Sequence, residues 1–392
     1  MLRLPIYMDN HATTRVDPRV FECMAPFFTE TYGNAASTSH SFGADAAAAV
    51  QRAREQVARL LNTDAKSIVF TSGATEANNL ALKGVVQAAG PGSHLITSAA
   101  EHRAVLDPAR GLKRSGCRLT ILPVDQHAAV DPQDVASAIG PDTVLVSIML
   151  ANNEVGTLND VTEIGRLCRE RNVLFHCDAA QAAGRLAVDL SDLPVDLVSL
   201  SAHKMYGPKG IGALFVRRRE PRVPIEAQIE GGGHERRLRS GTLPVPLVVG
   251  FGAACEMARE SLDVERERIC SLRDRLWQGL QTTVEGVHLN GDPVRRLSGN
   301  LNVSFENVDG DALMASLKDI AVSSGSACTS ADPEPSHVLR AMGCSDELTQ
   351  SSLRFGLGRF NTAEEVDFAV SAVAQSVERL RSLKQESPAN LR

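Results

Sequence analysis

Five short segments carry side chains that could do chemistry. The first is Thr71-Ser72-Gly73-Ala74-Thr75-Glu76, between a β-rich run and a helical pattern. A turn at that place exposes backbone N–H groups at a helix start, where an anion is favoured, and Thr75 adds a hydroxyl donor. The same residues also read as an ordinary helix cap with Glu in the first turn. They contain neither G-K-[ST] nor G-x-G-x-x-G. The second segment is His176-Cys177-Asp178-Ala179-Ala180-Gln181. Asp178 ends an apolar strand, and a buried carboxylate needs a donor or a cation. A protonated pyridine nitrogen is one such partner; capping the next helix is the plainer role. The third runs from Ser199 to Gly210, where a strand ends in Ser201, His203 and Lys204 before a Gly/Pro turn. A semi-buried Lys204 amine could have a lowered pKa and form a Schiff base, and Ser201 and His203 could donate to a phosphate. A surface lysine is the usual alternative.

The last two segments lie in the C-terminal third. Cys328 sits in the small, polar, Gly- and Pro-containing run Val322–Pro333. That composition predicts an exposed loop, where a thiol suits nucleophilic work or is an incidental surface group. Cys168 and Cys255 fall in helical patterns and Cys177 ends a strand, so they read as core thiols. Arg354 lies in the apolar run Ser351–Gly356. A guanidinium there needs an anion, either a substrate carboxylate for its bidentate fork or a structural ion pair. Anion turn, strand-end Asp and strand-end Lys, in that order, carry more than any one of them alone.

The elements that must position these groups alternate. Strands are predicted at Ser67–Phe70, His94–Thr97, Arg118–Leu122, Thr143–Leu150, Val173–Cys177, Leu197–Leu200 and Gly212–Val216, with helices such as Glu76–Ala89 and Glu163–Arg171 between them. That rhythm implies an α/β fold with a mostly parallel sheet and ligands at the carboxyl ends of its strands. A long helical stretch, Leu247–Thr283, leads into a smaller α+β part with strands at Leu301–Phe305, Ala321–Ser323 and Ser352–Phe355 and a final helix, Ala363–Leu383. The N-terminal dozen residues fit with either part.

Of 392 residues, 43% are hydrophobic and 22% charged, which excludes a disordered or fibrous chain and leaves room for two or three domains. The net charge of −6 argues against a dedicated nucleic-acid binder, although Arg217-Arg218-Arg219 is one short basic run. The eight cysteines form no C-x-x-C pair and no zinc-like cluster, so reduced thiols and no metal site are expected. Polar Asp9, Asn10 and His11 come too early for a signal peptide, and no run approaches the ~18 apolar residues of a membrane span. The expectation is a cytoplasmic protein with no membrane and no direct nucleic-acid contact.

Together these motifs resemble the cysteine desulfurases of the IscS and NifS type, within the class V enzymes that use pyridoxal 5'-phosphate (PLP). The matching runs are Asp9-Asn10-x-Ala12-Thr13-Thr14, Phe70–Glu76, Glu101-His102, Asn152-Asn153-Glu154-x-Gly156, Asp178-Ala179-x-Gln181 and Ser201-x-His203-Lys204. Tyr206–Gly210, Gly231–Glu235, Arg239-Ser240-Gly241-Thr242, Ser323–Cys328 and Arg354-Phe355 complete the set, in family order from about Leu4 to Arg381. The resemblance implies a fold-type I PLP-dependent transferase, with a seven-stranded large domain at 13–258. Residues 1–12 and 259–392 would form the small domain.

It also implies roles. Lys204 would anchor PLP, Asp178 would pair with the pyridinium nitrogen, and His102 would stack on the ring and shuttle protons. Gln181 would reach the ring hydroxyl, and Ala74, Thr75, Ser201 and His203 would hold the phosphate. Thr242 would complete the phosphate site of the neighbouring subunit, so a homodimer is implied. Asn153 and Arg354 would bind L-cysteine, and Cys328 would take its sulfur as a persulfide, leaving L-alanine. The sulfur acceptor would be a partner protein such as an iron–sulfur scaffold, with which Cys328 could transiently share a 2Fe-2S cluster. Ala202 and Ala35 stand where many relatives have Gly and Pro. The chain also ends at Arg392 without the longer tail by which close relatives dock the scaffold, which puts that docking in question. Other class V enzymes (an aminotransferase, a cysteine β-lyase, a selenocysteine lyase) are the alternatives. A non-catalytic sulfur carrier would need neither Lys204 nor Asp178.

Overall fold

A computed structural model describes residues 2–218, 222–324 and 335–386. Its strands are Ile6–Tyr7 (β1), Ile68–Thr71 (β2), His94–Ser98 (β3), Arg118–Leu122 (β4), Thr143–Ser147 (β5), Leu174–Asp178 (β6), Leu197–Ser201 (β7), Gly212–Val216 (β8), Val287–Asn290 (β9), Asn300–Phe305 (β10), Ile320–Ala321 (β11) and Ser352–Gly356 (β12). Seven form one sheet in the order β2-β8-β7-β6-β5-β3-β4. Only β8 runs against its neighbours, pairing antiparallel with both β2 and β7. The connection from Ser201 to Gly212 contains no crossover helix, so β8 returns beside β7 in the opposite sense. The other strands point the same way, and Thr71, Ser98, Ser147, Asp178 and Ser201 end on one edge of the sheet.

The inner strands β3, β6 and β7 are buried at every residue, as expected of a sheet covered on both faces. The polar members of these runs are paired inside: Thr97 donates to the Ser147 carbonyl at 2.9 Å, and His176 Nε2 lies 2.9 Å from Ser199 Oγ. The Ala74–Ala89 helix covers one face with Ala77, Leu80, Ala81 and Val85. On the other face the Ser41–Leu60 helix packs Ala46, Ala49, Val50, Ala53 and Val57 against Val248, Phe251 and Ala254.

The 39-residue Val245–Thr283 helix serves two cores. Its first half joins the large one; Ile269, Leu272, Leu276 and Leu280, at helical spacing, pack with Val366, Ala369, Val373 and Val377 of the Ala363–Glu386 helix. The antiparallel sheet β12-β10-β9 supplies Leu301, Val303, Leu353 and Phe355 to this second core. The N-terminal segment joins that core, because β1 pairs parallel with β11, Ile6 opposite Ile320. Two elements differ from the sequence reading here: the expected Ala321–Ser323 strand is Ile320–Ala321, and β9, which alternates apolar and polar over only four residues, is not among the predicted strands.

Arg359 ties the two parts together. It donates to Asp17 at 2.7 Å and to Glu265, and lies 4.2 Å over the Tyr206 ring. Its side chain and that of Asp17 are almost wholly buried. Arg359→Ala leaves Asp17 with only the exposed Arg19, which donates to it at 2.8 and 2.9 Å, and takes the cation from Glu265, so it should cost about 3 kcal/mol in urea unfolding. Arg19, and after it Arg359, hold the Asp17 carboxyl well below the usual carboxylate range against the upward push of burial. Its contribution is therefore complete above the unfolded value of about 3.9 and fades as pH falls below it, so the variant's deficit should shrink in acid. A deficit under 1 kcal/mol, or one indifferent to acid, would contradict this role.

Candidate active site

The carboxyl edge of the large sheet opens into a cleft of about 560 Å³. Of the residues singled out from the sequence, it is lined by Ala74, Thr75, His102, Asn153, Asp178, Gln181, Ser201, His203, Lys204 and Arg354. Thr242 does not line it; it is exposed in this chain, beyond the Glu235–Arg237 turn. Cys328 lies outside the described residues.

The turn after β2 carries features of both readings. The N-cap of the Ala74–Ala89 helix is Gly73, at φ 153°, and no side chain among the described residues caps the helix. Glu76 instead reaches back to the Ser72 amide at 2.8 Å. A Cβ added at Gly73 would meet nothing within 4 Å among the described residues. The helix therefore starts two residues before the expected Glu76, and its first amides face an open cradle suited to an anion.

Asp178 is buried and held from both sides. One carboxylate oxygen accepts from Asn78 Nδ2 at 2.7 Å, the other from the Ala180 amide at 2.9 Å. No helix follows for it to cap among the described residues, since the next element is β7; it holds a local turn and faces the cleft. Lys204 is no surface lysine. Its Nζ donates to the carbonyls of His11 and Ala12, the latter at 2.8 Å. His203 meets Thr13 Oγ1 at 3.1 Å, and burial beside Lys204, Lys209 and Arg185 pushes its pKa down to about 4. Ser201 is buried at the end of β7.

His102 caps the Arg103–Arg114 helix, its Nδ1 accepting from the Ala104 amide at 3.0 Å. The neutral ring then carries its proton on Nε2. Burial, with Lys204 and His337 nearby, lowers its pKa against the pull of Asp178. Gln181 donates to the His11 carbonyl at 3.0 Å, with its Oε1 at 3.0 Å from His11 Nδ1.

Arg354 enters from β12. Its Nη2 donates to Asp9 at 2.9 Å and its Nη1 to the Asn153 carbonyl at 2.9 Å. The structural ion pair thus exists, yet Arg354 Nε and Asn153 Oδ1, both buried, have no partner among the described residues. Such orphans on a cleft wall are what a polar ligand would engage.

The chain on either side of Cys328 is tied to this wall. Ser323 exchanges backbone hydrogen bonds with Arg354 itself, at 2.7 and 3.3 Å. On the far side Ser336 donates to Glu154, the neighbour of Asn153, and His337 Nε2 lies 2.9 Å from the carbonyl of Glu101, the neighbour of His102. Burial pushes Glu154 up to about 7. No described cysteine lines the cleft. Cys117, Cys168, Cys177 and Cys255 are buried with thiol pKa values pushed up, Cys168 to about 12, which disfavours the nucleophilic thiolate.

Four contributors had no assigned role in the sequence reading: Asp9, His11, Asn78 and Arg185. Arg185 is held by His11 Nδ1 at 2.6 Å and the carbonyls of Asn10 and Lys204 at 2.7 and 3.1 Å. Asn78 left a usable signal, because it lies four residues after Ala74 and so on the same helix face. The remaining three depend on where the N-terminal segment docks. The donor set fits PLP: an open anion cradle, a held carboxylate for a pyridinium, an amine, and an imidazole donor.

Comparison with known proteins agrees. The aminotransferase class-V family profile matches residues 6–368. The chain is 56% identical to the cysteine desulfurase IscS of Anaeromyxobacter sp. (strain Fw109-5) over 388 residues, 99% of this chain and 95% of that protein. It is 50% identical to a human cysteine desulfurase over 97% of this chain and 83% of the relative. A NifS-like protein of known structure superposes with TM-score 0.90 at 39% identity, covering 96% of this chain and all of that one. SspA in complex with cysteine superposes with TM-score 0.81 at 36% identity, over 91% of this chain and all of the other.

The His102 geometry makes a spectroscopic prediction. With its pKa depressed, the ring is neutral at pH 7, and ¹⁵N-histidine NMR should show a protonated Nε2 and an unprotonated Nδ1. A doubly protonated ring, or the opposite tautomer, would contradict the cap.

Proposed function

The chain belongs to the class-V aminotransferase family, and we propose that within it this protein is a PLP-dependent cysteine desulfurase. It converts L-cysteine to L-alanine and leaves the sulfur as a persulfide on Cys328. The observation that carries this reading is the meeting, in one cleft, of Lys204, Asp178, an uncapped anion cradle and Arg354 with an unengaged Nε.

PLP, when bound, supplies an electron sink that stabilises negative charge beside the substrate carbons. Ala74, Thr75, Ser201 and His203 hold its phosphate, Gln181 its ring hydroxyl, and Asp178, kept in place by Asn78, its pyridinium proton. Arg354 receives the substrate carboxylate, and Asn153 Oδ1 supplies an acceptor beside it. Lys204 takes the proton from the substrate Cα; the His11 and Ala12 carbonyls mark where its amine rests beforehand. His102 offers the proton on Nε2, since its Nδ1 is committed to the Ala104 amide. The Cys328 thiolate attacks the substrate sulfur. The new S–S bond forms as the Cβ–S bond breaks, and Cβ takes a proton to become the methyl of alanine.

The same reading places residues 13–258 in a large PLP-binding domain, with 1–12 and 259–392 in the small one. It includes a homodimer, in which exposed Thr242 reaches the partner's phosphate site. It also includes a cytoplasmic setting and sulfur delivery to an acceptor protein of the iron–sulfur scaffold kind.

The test is product analysis with L-cysteine and a reductant. Alanine and sulfide should appear in equal amounts and be lost in Cys328→Ala. Lys204→Ala should lower the rate by ~10²- to 10⁴-fold, the usual worth of a positioned proton-transfer group. Pyruvate with sulfide, or activity indifferent to Cys328, would move the assignment to a β-lyase.

A further inference from the structure

We propose that Arg239 makes the anion cradle fit for a phosphate by neutralising Glu76, and so acts as a positioning residue for cofactor binding without touching the cofactor. This rests on the PLP reading above. Glu76 stands in the first turn of the Ala74–Ala89 helix and lines the same cleft as Ala74 and Thr75. A carboxylate so close to a bound phosphate would repel it. Its two oxygens are engaged: Arg239 Nε donates to one at 2.8 Å, and the Ser72 amide donates to the other at 2.8 Å, with Arg239 Nη2 at 3.3 Å. Both side chains are mostly buried, 17% and 16% exposed. Arg239 and Ser72 also hold the Glu76 pKa down, so protonation does not remove its charge.

The backbone spends strain to place Arg239. Glu235, Arg236 and Arg237 take φ values of 47°, 57° and 67°, a region that L-residues disfavour sterically. The turn is pinned from behind. Buried Arg54 grips Glu235 bidentately at 2.6 and 2.7 Å, and Glu235 also accepts from the Phe70 amide on the outer edge of β2 at 2.7 Å. One chain of contacts therefore runs from Arg54 through Glu235 and the left-handed turn to Arg239, Glu76 and the cradle.

The experiment measures PLP dissociation constants for the full-length apoprotein by absorbance titration. Arg239→Gln should weaken PLP on the order of tenfold, the effect of exposing one like charge. The double variant Glu76→Gln/Arg239→Gln should return to within about threefold of native, because no charge is left to neutralise. Pyridoxal, which lacks the phosphate, should bind native and Arg239→Gln proteins alike. Glu76→Gln alone should bind PLP at least as tightly as native, which keeps the test open if Arg239→Gln does not fold. Native-like binding by Arg239→Gln, or a double variant as weak as the single, would overturn the proposal. Failure of the native protein to take up PLP would instead sink the function it rests on.

Discussion

The guanidinium of Arg354 is where the parts of the molecule meet. It leaves β12 in the smaller sheet, grips Asp9 of the N-terminal segment and the carbonyl of Asn153 from the large sheet's side, and is 1% exposed. A buried cation must be compensated, so its partners cannot drift. That one requirement sets the cleft's wall, because the Asp9–Thr14 segment it fixes also receives Lys204, Gln181 and His203. It also sets where the chain enters and leaves the region of Cys328. Ser323 pairs with Arg354, and Ser336 bonds the residue after Asn153.

The charge balance of the cleft follows the same logic. Lys204, Lys209 and Arg354 line it together with Asp178 and Glu76, and the histidines between them are held neutral by burial next to cations. Such a surface suits a ligand with both signs of charge, an anionic phosphate or carboxylate at one place and a protonated ring nitrogen at another. Each acid has a partner that fixes its direction: Asn78 for Asp178, Arg239 for Glu76, Arg354 for Asp9.

Much of this was legible in the chain. The parallel strands announced themselves as short β-rich runs between helical patterns, and the chemistry sat at or just after their ends, at Asp178 and at Lys204. At Gly73 the sequence leaves cap and anion turn both open, and the structure carries features of both: no described side chain caps the helix, while Glu76 in its first turn accepts from the Ser72 amide. Likewise the choice for Arg354 between ion pair and ligand contact had no sequence answer; its Nη2 makes the ion pair with Asp9, its Nη1 donates to the Asn153 carbonyl, and its Nε has no partner among the described residues. His11 and Arg185 were invisible because their contacts span 174 positions of sequence and exist only once β1 has docked on β11. The mostly parallel sheet expected from the sequence is present, and the strand that reverses, β8, follows the one connection too short for a crossover helix.

The central claim is that sulfur taken from cysteine comes to rest on Cys328. The most direct measurement is to react the holoenzyme with L-cysteine without reductant, digest it, and map by mass spectrometry which cysteine has gained a sulfur atom. The account predicts the addition on the peptide containing Cys328, with the thiols raised by burial unchanged. Sulfur on another cysteine, or alanine released with no modified cysteine at all, would contradict it.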